Sequence, residues 1–436
     1  MSNNLMPDNL TPGVPKPQTN KRYFVVFMVS MMIAINYLDR TNFSVAVPTI
    51  MDEFNLTAAQ IGLMGSAFFW SYTLIMLPVG GFINKFGPKW AITSASAGWG
   101  IITMLTGACS TFTSFFIVRI LLGFTEAPGF PASARVVSVW TPIRERTFCS
   151  ACFDCCARLG SAFTPPLVAW LIINWGWRTS FVISGMIAVV YAVIWHLTYH
   201  EPDAHPTISP EELAYIRQDE VITSEGKVEV KPIPMLKLFL YPTILKITVA
   251  YGLYLYVWTV FNTWMPAYLT QARGLSLASM GVAAMIPYAT AVVCELLGGY
   301  IWDWLQRNKG FSVTTVRRCG MGMAMLGAAV FIFLTMQATT AFMAVFFISL
   351  FMGIFAFGAS NVWAIPGDIA PYGQAGGVGG VYNFVGNAFA SLAPIITGYF
   401  VGSHYGYNGA FTVCCVFGIL GAILFGISKY VRLEPK

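Results

Sequence analysis

The stretch YFVVFMVSMMIAINYLDRTNFSVAVPTI, residues 23–50, decides the fold class. Its first sixteen residues carry no charge, and a membrane-spanning helix needs about 20 mostly apolar residues. The run then continues through an adjacent acid and base, Asp39 and Arg40. Because charges inside a bilayer are costly, the pattern predicts a membrane helix whose two charges face protein or water.

The rest of the chain has the same character. Of its 436 residues 56% are hydrophobic and only 10% are charged, whereas a soluble domain carries roughly a quarter charged residues. We therefore predict an all-α membrane protein with twelve transmembrane helices and no nucleic-acid partner. The apolar stretches begin near Tyr23, Ile61, Trp90, Thr113, Phe148, Thr179, Leu238, Ser279, Cys319, Ala341, Ala375 and Gly409.

The basic residues are distributed unevenly around these stretches. Three of the 25 Lys and Arg residues lie within spans, and only Arg178 and Arg273 fall in loops that we place outside. The others flank the spans on one side, and basic residues concentrate on the cytoplasmic side of a membrane. We therefore expect both termini in the cytoplasm and a multi-pass protein of the inner (plasma) membrane.

One polar segment divides the chain into two halves. Each half places a double glycine after a span, in GGFINKFGPK (80–89) and in GGYIWDWLQRNKG (298–310). This echo predicts two pseudo-symmetric six-helix bundles, and transporters commonly bind substrate between such repeats. Within the polar segment, 209–219 predicts a short surface helix. The predicted divisions are a cytoplasmic tail 1–22, a bundle 23–200, a cytoplasmic loop 201–237, a second bundle 238–430 and a tail 431–436.

Four of the intramembrane charges fall on two helices. Asp39 lies about 24 Å along the first helix, and Arg119 lies about 9 Å along a helix of opposite direction, so these residues and Arg40 can share one depth. Glu126 follows seven residues after Arg119, on the same face. The group can supply a cation for an anionic substrate with a carboxylate below it. Alternatively, it is a fixed charge network that locks the helices together.

Three further charges allow two interpretations each. Asp154 and Arg158 are four residues apart and could neutralise each other along one helix, or Arg158 could be a second substrate cation with Asp154 as its release partner. Glu295 has no basic neighbour within its own span. It is either a proton-binding carboxylate or a water-facing residue near the cytoplasmic mouth.

Uncharged polar residues extend this set into the second half. A shift of 229 residues carries Asp154 onto Asn383 and Arg158 onto Asn387, so two helices would present polar pairs at matching positions. Tyr251 belongs to an aromatic group in the seventh span, where its hydroxyl could reach substrate oxygens or simply pack.

Neither a metal site nor a cofactor is expected. Cys149, Cys152, Cys155 and Cys156 step along one helix, so their sulfurs cannot converge on a tetrahedral ion. The GQAGGVGGVYN stretch lacks the G-K-[ST] ending of a phosphate loop. The energy for transport must therefore come from an ion gradient or from the gradient of the substrate itself.

Several motifs together point to a family. NYLDRTNFSVA (36–46), VRILLGFTEAPGFPASARVV (118–137) and GGVYNFVGN (379–387) resemble the major facilitator superfamily, and within it the anion:cation symporters that carry sugar acids into bacteria. The resemblance implies that Asp39 and Glu126 carry protons, and that Arg40 and Arg119 engage the substrate carboxylate or gate access to it. It also implies a sugar-acid site lined by Tyr37, Tyr72, Ser360, Trp363 and Asn383.

Three positions depart from the family pattern. Asn84 stands where the family has Asp, Ala157 beside Arg158 stands where a polar residue (often Gln) is usual, and Glu295 replaces an apolar residue. The extra charge suggests that Arg158 accommodates a second carboxylate, as in an aldarate or another dicarboxylate.

These observations predict a secondary active transporter, not an enzyme. We expect it to act as a monomer in the lipid bilayer, importing a small organic anion, a hexonate, hexuronate or aldarate, by proton symport with alternating access. The alternatives are an antiporter or uniporter of organic anions, including dicarboxylates or aromatic acids. A membrane enzyme or sensor would need a nucleophile–base pair or a metal site, and the sequence offers neither.

Overall fold

The structure is a computed structural model that describes residues 19–224, 235–370 and 375–433. Most of the predicted N-terminal tail, the middle of the central loop and the end of the C-terminal tail lie outside the described residues. Within these ranges the chain is helical and contains no strand. The first half holds α1 (Lys21–Phe54), α2 (Ala58–Thr106), α3 (Phe112–Glu126), α4 (Gly129–Trp140), α5 (Ile143–Thr198) and α6 (Pro210–Ser224). The second half holds α7 (Met235–Leu238), α8 (Pro242–Ala267), α9 (Leu277–Lys309), α10 (Val313–Gln337), α11 (Ala341–Ala359), α12 (Ile365–Ile369), α13 (Ala375–Val401) and α14 (Gly406–Ile427).

Among the described residues, nine helical segments are long and apolar enough to cross a membrane, and the bent helix α2 adds a tenth. Two long helices are interrupted by a glycine with positive φ, Gly87 in α2 (φ 75°) and Gly176 in α5 (φ 81°). This backbone conformation is open to glycine and strained for other residues. The predicted span starts near Trp90 and Thr179 fall just after these two breaks.

The entry to the second half differs slightly from the prediction. The helix expected to start near Leu238 begins instead at Pro242, after the short helix α7. Proline is favoured in the first helical turn because its fixed φ suits the helix and its missing N–H is not needed there. The surface helix predicted at 209–219 is present as α6, and the Ser209 hydroxyl accepts a hydrogen bond from the Glu212 N–H (3.1 Å).

Helix α6 is docked on the first half through Glu212. The Glu212 carboxylate accepts hydrogen bonds from the backbone N–H groups of Lys21 (3.0 Å) and Arg22 (3.1 Å), at the start of α1. The Arg22 side chain pairs with both Glu212 (3.1 Å) and Glu145 (2.9 Å). A carboxylate at a helix N-terminus satisfies free N–H groups and complements the helix dipole. The helix α6 is therefore fixed to the first half of the chain.

The two halves meet where α2 packs against α13 and where α5 packs against α9. Glycines bring the backbones close together at these crossings. A Cβ added to Gly62 would lie 2.4 Å from the Pro394 carbonyl oxygen, and a Cβ at Gly281 would lie 2.8 Å from the Ala169 side chain. Small residues let membrane helices approach this closely. The halves are thus in tight contact near the ends of the molecule where α2 and α9 begin.

Gly123 holds α3, the helix of Arg119 and Glu126, against α2. A Cβ at Gly123 would lie 2.1 Å from the Ser71 Oγ and 2.3 Å from the Phe68 carbonyl oxygen. We expect Gly123→Val to lower the free energy of unfolding by about 1–3 kcal/mol through overpacking. Thermal unfolding of the purified protein in detergent measures this loss. The matched control is Gly322→Val in α10, where an added Cβ has no atom within 4 Å; an equal loss in both variants would contradict the assignment.

Candidate functional site

A buried ion pair lies at the centre of the first half. The Arg40 Nε of α1 is 2.7 Å from the Glu126 Oε2 of α3, and the Glu126 side chain is fully buried. The Arg40 guanidinium carbon lies 4.9–5.2 Å from the ring centroids of Tyr37, Phe68 and Tyr72. At this range a cation is attracted to an aromatic face. Two of the tyrosines expected in the site, Tyr37 and Tyr72, therefore flank the charged pair.

Arg119 lies beside this pair without an ion-pair partner within the described part of the chain. Its guanidinium carbon is 4.2 Å from the Phe43 ring and 4.9 Å from the Phe68 ring. Its side chain is buried, and it interacts electrostatically with both Glu126 and Arg40. A buried guanidinium is rarely left without a carboxylate. Arg119 is thus poised to receive an anion.

Asp39 faces a different direction from its neighbour Arg40. Its carboxylate is buried and faces the Thr103 hydroxyl of α2. Among the residues that the structure describes, Asp39 has no basic ion-pair partner, although Arg40 follows it directly in the chain. The reason is geometric, because consecutive residues on an α-helix point about 100° apart. Asp39 interacts with the pair electrostatically, through Glu126.

A second ion pair joins the two halves. Arg158 of α5 pairs with Glu295 of α9, and the Arg158 guanidinium lies 5.0 Å from the Trp258 ring of α8. Arg158 therefore pairs with Glu295 in addition to its electrostatic interaction with Asp154, and Glu295 has a basic partner outside its own span. The interpretations from sequence counted partners within one helix, whereas α5 and α9 pack against each other. Asp154 remains within electrostatic range of both partners.

Two residues expected in the second half approach these charges. Trp363 follows α11 and faces Asp154 across the two halves, yet it is 48% exposed. The space between the halves is therefore open to solvent at this point. Tyr251 of α8 is buried, stacks on Tyr382 at 3.8 Å and lies within electrostatic range of Asp154 and Tyr37.

The other predicted polar residues bond to their own helices. The Ser360 hydroxyl at the end of α11 donates to the Phe357 carbonyl (3.0 Å). On α13 the Asn383 amide donates to Gly379 (3.3 Å) and the Asn387 amide donates to the Asn383 carbonyl (2.9 Å). All three of these predicted side chains are partly exposed, so each can add a hydrogen bond to a ligand. The structure does not link them directly to the two ion pairs.

Tyr37 connects the two charge clusters into one site. Arg40, Asp154, Tyr72 and Arg158 all interact electrostatically with its hydroxyl. Both charge clusters therefore lie within electrostatic range of the same tyrosine. Phe68, whose ring lies next to both Arg40 and Arg119, was absent from the predicted site. Its position four residues before Tyr72, and hence on the same helix face, was the available signal.

Comparison with known proteins shows to which family the sequence is similar. Residues 29–394 match the family described as Major Facilitator Superfamily. The chain is 32% identical over 437 residues to the probable galactarate/D-glucarate transporter GarP of Escherichia coli (strain K12), covering 96% of this chain and 97% of that protein. It is 31% identical over 427 residues to the D-galactonate transporter of Escherichia coli O6:H1, covering 93% and 95%.

Solved structures agree on the fold. A bacterial homologue of the human lysosomal transporter Spinster, in an inward-facing unoccupied conformation, superposes with a TM-score of 0.73 at 17% identity, covering 94% of this chain and 97% of that chain. The D-xylose-proton symporter superposes with a TM-score of 0.72 at 15% identity, covering 93% and 98%.

The Arg40–Glu126 pair generates a stability prediction. Arg40→Met leaves the Glu126 carboxylate buried without its partner, which costs about 3–5 kcal/mol when a buried ion pair is broken on one side. We expect the double variant Arg40→Met/Glu126→Gln to recover more than half of this loss in thermal unfolding at pH 8. Arg178→Met is the control, because its pair with Glu53 is 47% and 39% exposed and such pairs contribute under about 1 kcal/mol. Equal losses in the single and double variants would contradict the prediction.

Proposed function

The chain belongs to the Major Facilitator Superfamily and is a transporter rather than an enzyme, and we propose that it imports a sugar acid together with protons. The substrate class comprises hexonates, hexuronates and aldarates. The observation that carries this proposal is the pair of arginines Arg40, largely buried, and Arg119, buried, beside Glu126 and against aromatic faces. A guanidinium binds a carboxylate with two parallel hydrogen bonds, and the relatives named for galactarate, D-glucarate and D-galactonate support a polyhydroxylated acid.

In the proposed site, charged residues bind the carboxylate of the substrate and hydrogen bonds bind its hydroxyl groups. Arg40 and Arg119 hold the carboxylate. The hydroxyl groups of the sugar chain meet polar and aromatic side chains that line the space between the halves, namely Tyr37, Tyr72, Ser360, Trp363 and Asn383. Tyr251 and Asn387 extend this lining. Binding between two repeats fits alternating access, in which one half rocks against the other around a fixed site.

Proton coupling follows from competition for Arg40. In the structure Glu126 pairs with Arg40, so an incoming carboxylate must compete with it. A proton on Glu126 removes its charge and releases Arg40 to the substrate. Loss of that proton on the cytoplasmic side restores the pair and expels the substrate. Asp39 serves as a second proton carrier that acts through Glu126, with which it interacts electrostatically.

We also propose twelve transmembrane helices in two six-helix bundles. The breaks at Gly87 and Gly176 divide α2 and α5 into two spans each, and α3 with α4 forms one. With α1 this gives six spans in the first half, and α8, α9, α10, α11, α13 and α14 give six in the second. An even number of spans would put both termini on one side of the membrane, and the basic flanks support the cytoplasmic side of the inner membrane. The protein acts as a monomer.

Reporter fusions test the topology at the two divided helices. We expect green fluorescent protein fused after Lys89 or Thr198 to fluoresce, because it folds in the cytoplasm, and fusions after Thr106 or Asn174 to stay dark. Alkaline phosphatase at the same four positions should give the reverse pattern. Fluorescence after both Lys89 and Thr106 would mean that the second part of α2 does not cross the membrane.

Uptake into proteoliposomes tests substrate and coupling. We expect accumulation of a sugar acid from a panel of radiolabelled hexonates, hexuronates, aldarates and aromatic acids, and only with an inward proton gradient. Glu126→Gln should lower this uphill uptake by at least about tenfold. It should retain exchange of labelled for unlabelled acid, because the amide mimics the protonated carboxyl. Glu53→Gln, at the exposed pair with Arg178, is the control.

Other outcomes would point to other transport classes. Equal uptake without the gradient would indicate a uniporter, and uptake that acidifies the medium would indicate an antiporter. Uptake of aromatic acids alone would contradict the proposed substrate class.

A further inference from the structure

The Arg158–Glu295 ion pair joins the two halves inside their membrane-spanning helices. Both side chains are almost buried, at 10% and 12% exposed. The Trp258 ring and the Tyr254 hydroxyl, both from α8, also face the Arg158 guanidinium. Arg158 is therefore a cation of the first half that is held largely by groups of the second half.

A buried pair between two moving bodies needs a substitute partner. The favourable energy of a buried ion pair offsets its desolvation only while the geometry is good, and breaking it on one side leaves a costly unpaired charge. Alternating access requires the halves to move relative to each other. Whenever the pair opens, Arg158 needs another anion, and a substrate carboxylate offers the same two oxygens as Glu295.

The position of Arg158 suits the far end of a substrate that is anchored at Arg40. The Tyr37 hydroxyl interacts electrostatically with both arginines, so both cations lie within electrostatic range of one tyrosine. One turn before Arg158, Asp154 faces the half-exposed Trp363. The second arginine thus adjoins the solvent-open space in which the proposed substrate binds.

We infer that Arg158 is a second carboxylate anchor that selects dicarboxylic sugar acids over monocarboxylic ones, with Glu295 as the internal anion that the second carboxylate displaces. This inference rests on the proposed function and adds the substrate's chemical class. Galactarate and galactonate share one carbon skeleton, but galactarate ends in a second carboxylate where galactonate ends in a hydroxyl. The hydroxyl carries no charge with which to displace Glu295.

Two roles of the Arg158–Glu295 pair, a structural contact and a substrate anchor, predict different effects of substitution on selectivity. If the pair only joins the halves, removing either partner breaks the same contact, and both variants change transport in the same direction. If Arg158 binds substrate and Glu295 competes with it, the two removals have opposite effects on selectivity. Among the described residues, Glu295 faces Arg158, Asp154, Cys155 and Tyr254, and Arg158 is the cation of this group for which it competes.

The test measures kcat/KM for galactarate and for galactonate in proteoliposomes of the full chain. We expect Arg158→Gln to lower the galactarate-to-galactonate ratio about tenfold, as loss of a charge-assisted hydrogen bond implies. Glu295→Gln should raise that ratio about threefold or more, and Arg158→Lys should fall between wild type and Arg158→Gln because it keeps the charge but loses the planar fork. Arg178→Gln is the control, since its pair with Glu53 is 47% and 39% exposed and neither residue belongs to the proposed site; its ratio should be unchanged.

A change of the ratio in the same direction in Arg158→Gln and Glu295→Gln, or no change in either, overturns the inference. If Arg158→Gln does not fold, the fallback measurement is the inhibition of galactonate uptake by galactarate. The inference requires this inhibition to be stronger in Glu295→Gln than in the wild type. Wild-type uptake of galactonate without galactarate overturns the inference and leaves the proposed function standing. Wild-type uptake of neither acid, nor of any other sugar acid, overturns the proposed function itself.

Discussion

The cost of placing charge in a membrane governs this structure. An ionised side chain at the centre of a bilayer is unfavourable by several kcal/mol unless protein or water surrounds it. The chain nevertheless places Asp39, Arg40, Arg119, Glu126, Asp154, Arg158 and Glu295 within its apolar helices. Two guanidinium–carboxylate contacts, Arg40–Glu126 and Arg158–Glu295, offset much of this unfavourable energy. The helices that supply these residues must therefore pack so that the charges meet.

Close helix packing makes those meetings possible. Gly123 allows α3 to lie against α2, so that Glu126 reaches Arg40 of α1. Gly281 allows α9 to lie against α5, on which Arg158 lies. Side chains at these glycines would separate the helices, and the charges would lose their partners. Small residues at the helix crossings thus determine whether charged side chains elsewhere on the same helices reach their partners.

The sequence predicted the grouping of charges inside the first half better than the contacts between the two halves. The grouping of Arg40, Arg119 and Glu126 follows from helical rise and direction, and the structure brings them together. The partner of Arg158 did not follow, because Glu295 lies 137 positions further along the chain and becomes a neighbour only when the halves pack. The different surroundings of Asp39 and Arg40 have a local cause, because consecutive residues on a helix point about 100° apart.

The two ion pairs differ in one respect that gives them different tasks. Arg40 and Glu126 both belong to the first half, so their contact can open and close while that half stays rigid. Arg158 and Glu295 belong to opposite halves, so their contact depends on how the halves are placed. A substrate that engages only the first pair exchanges charge within one bundle. A substrate that engages both pairs takes the place of Glu295 in the contact between the halves. Its binding is therefore coupled to the relative movement of the halves. The dicarboxylate is the ligand that can do this, because it carries one anion for each arginine cluster.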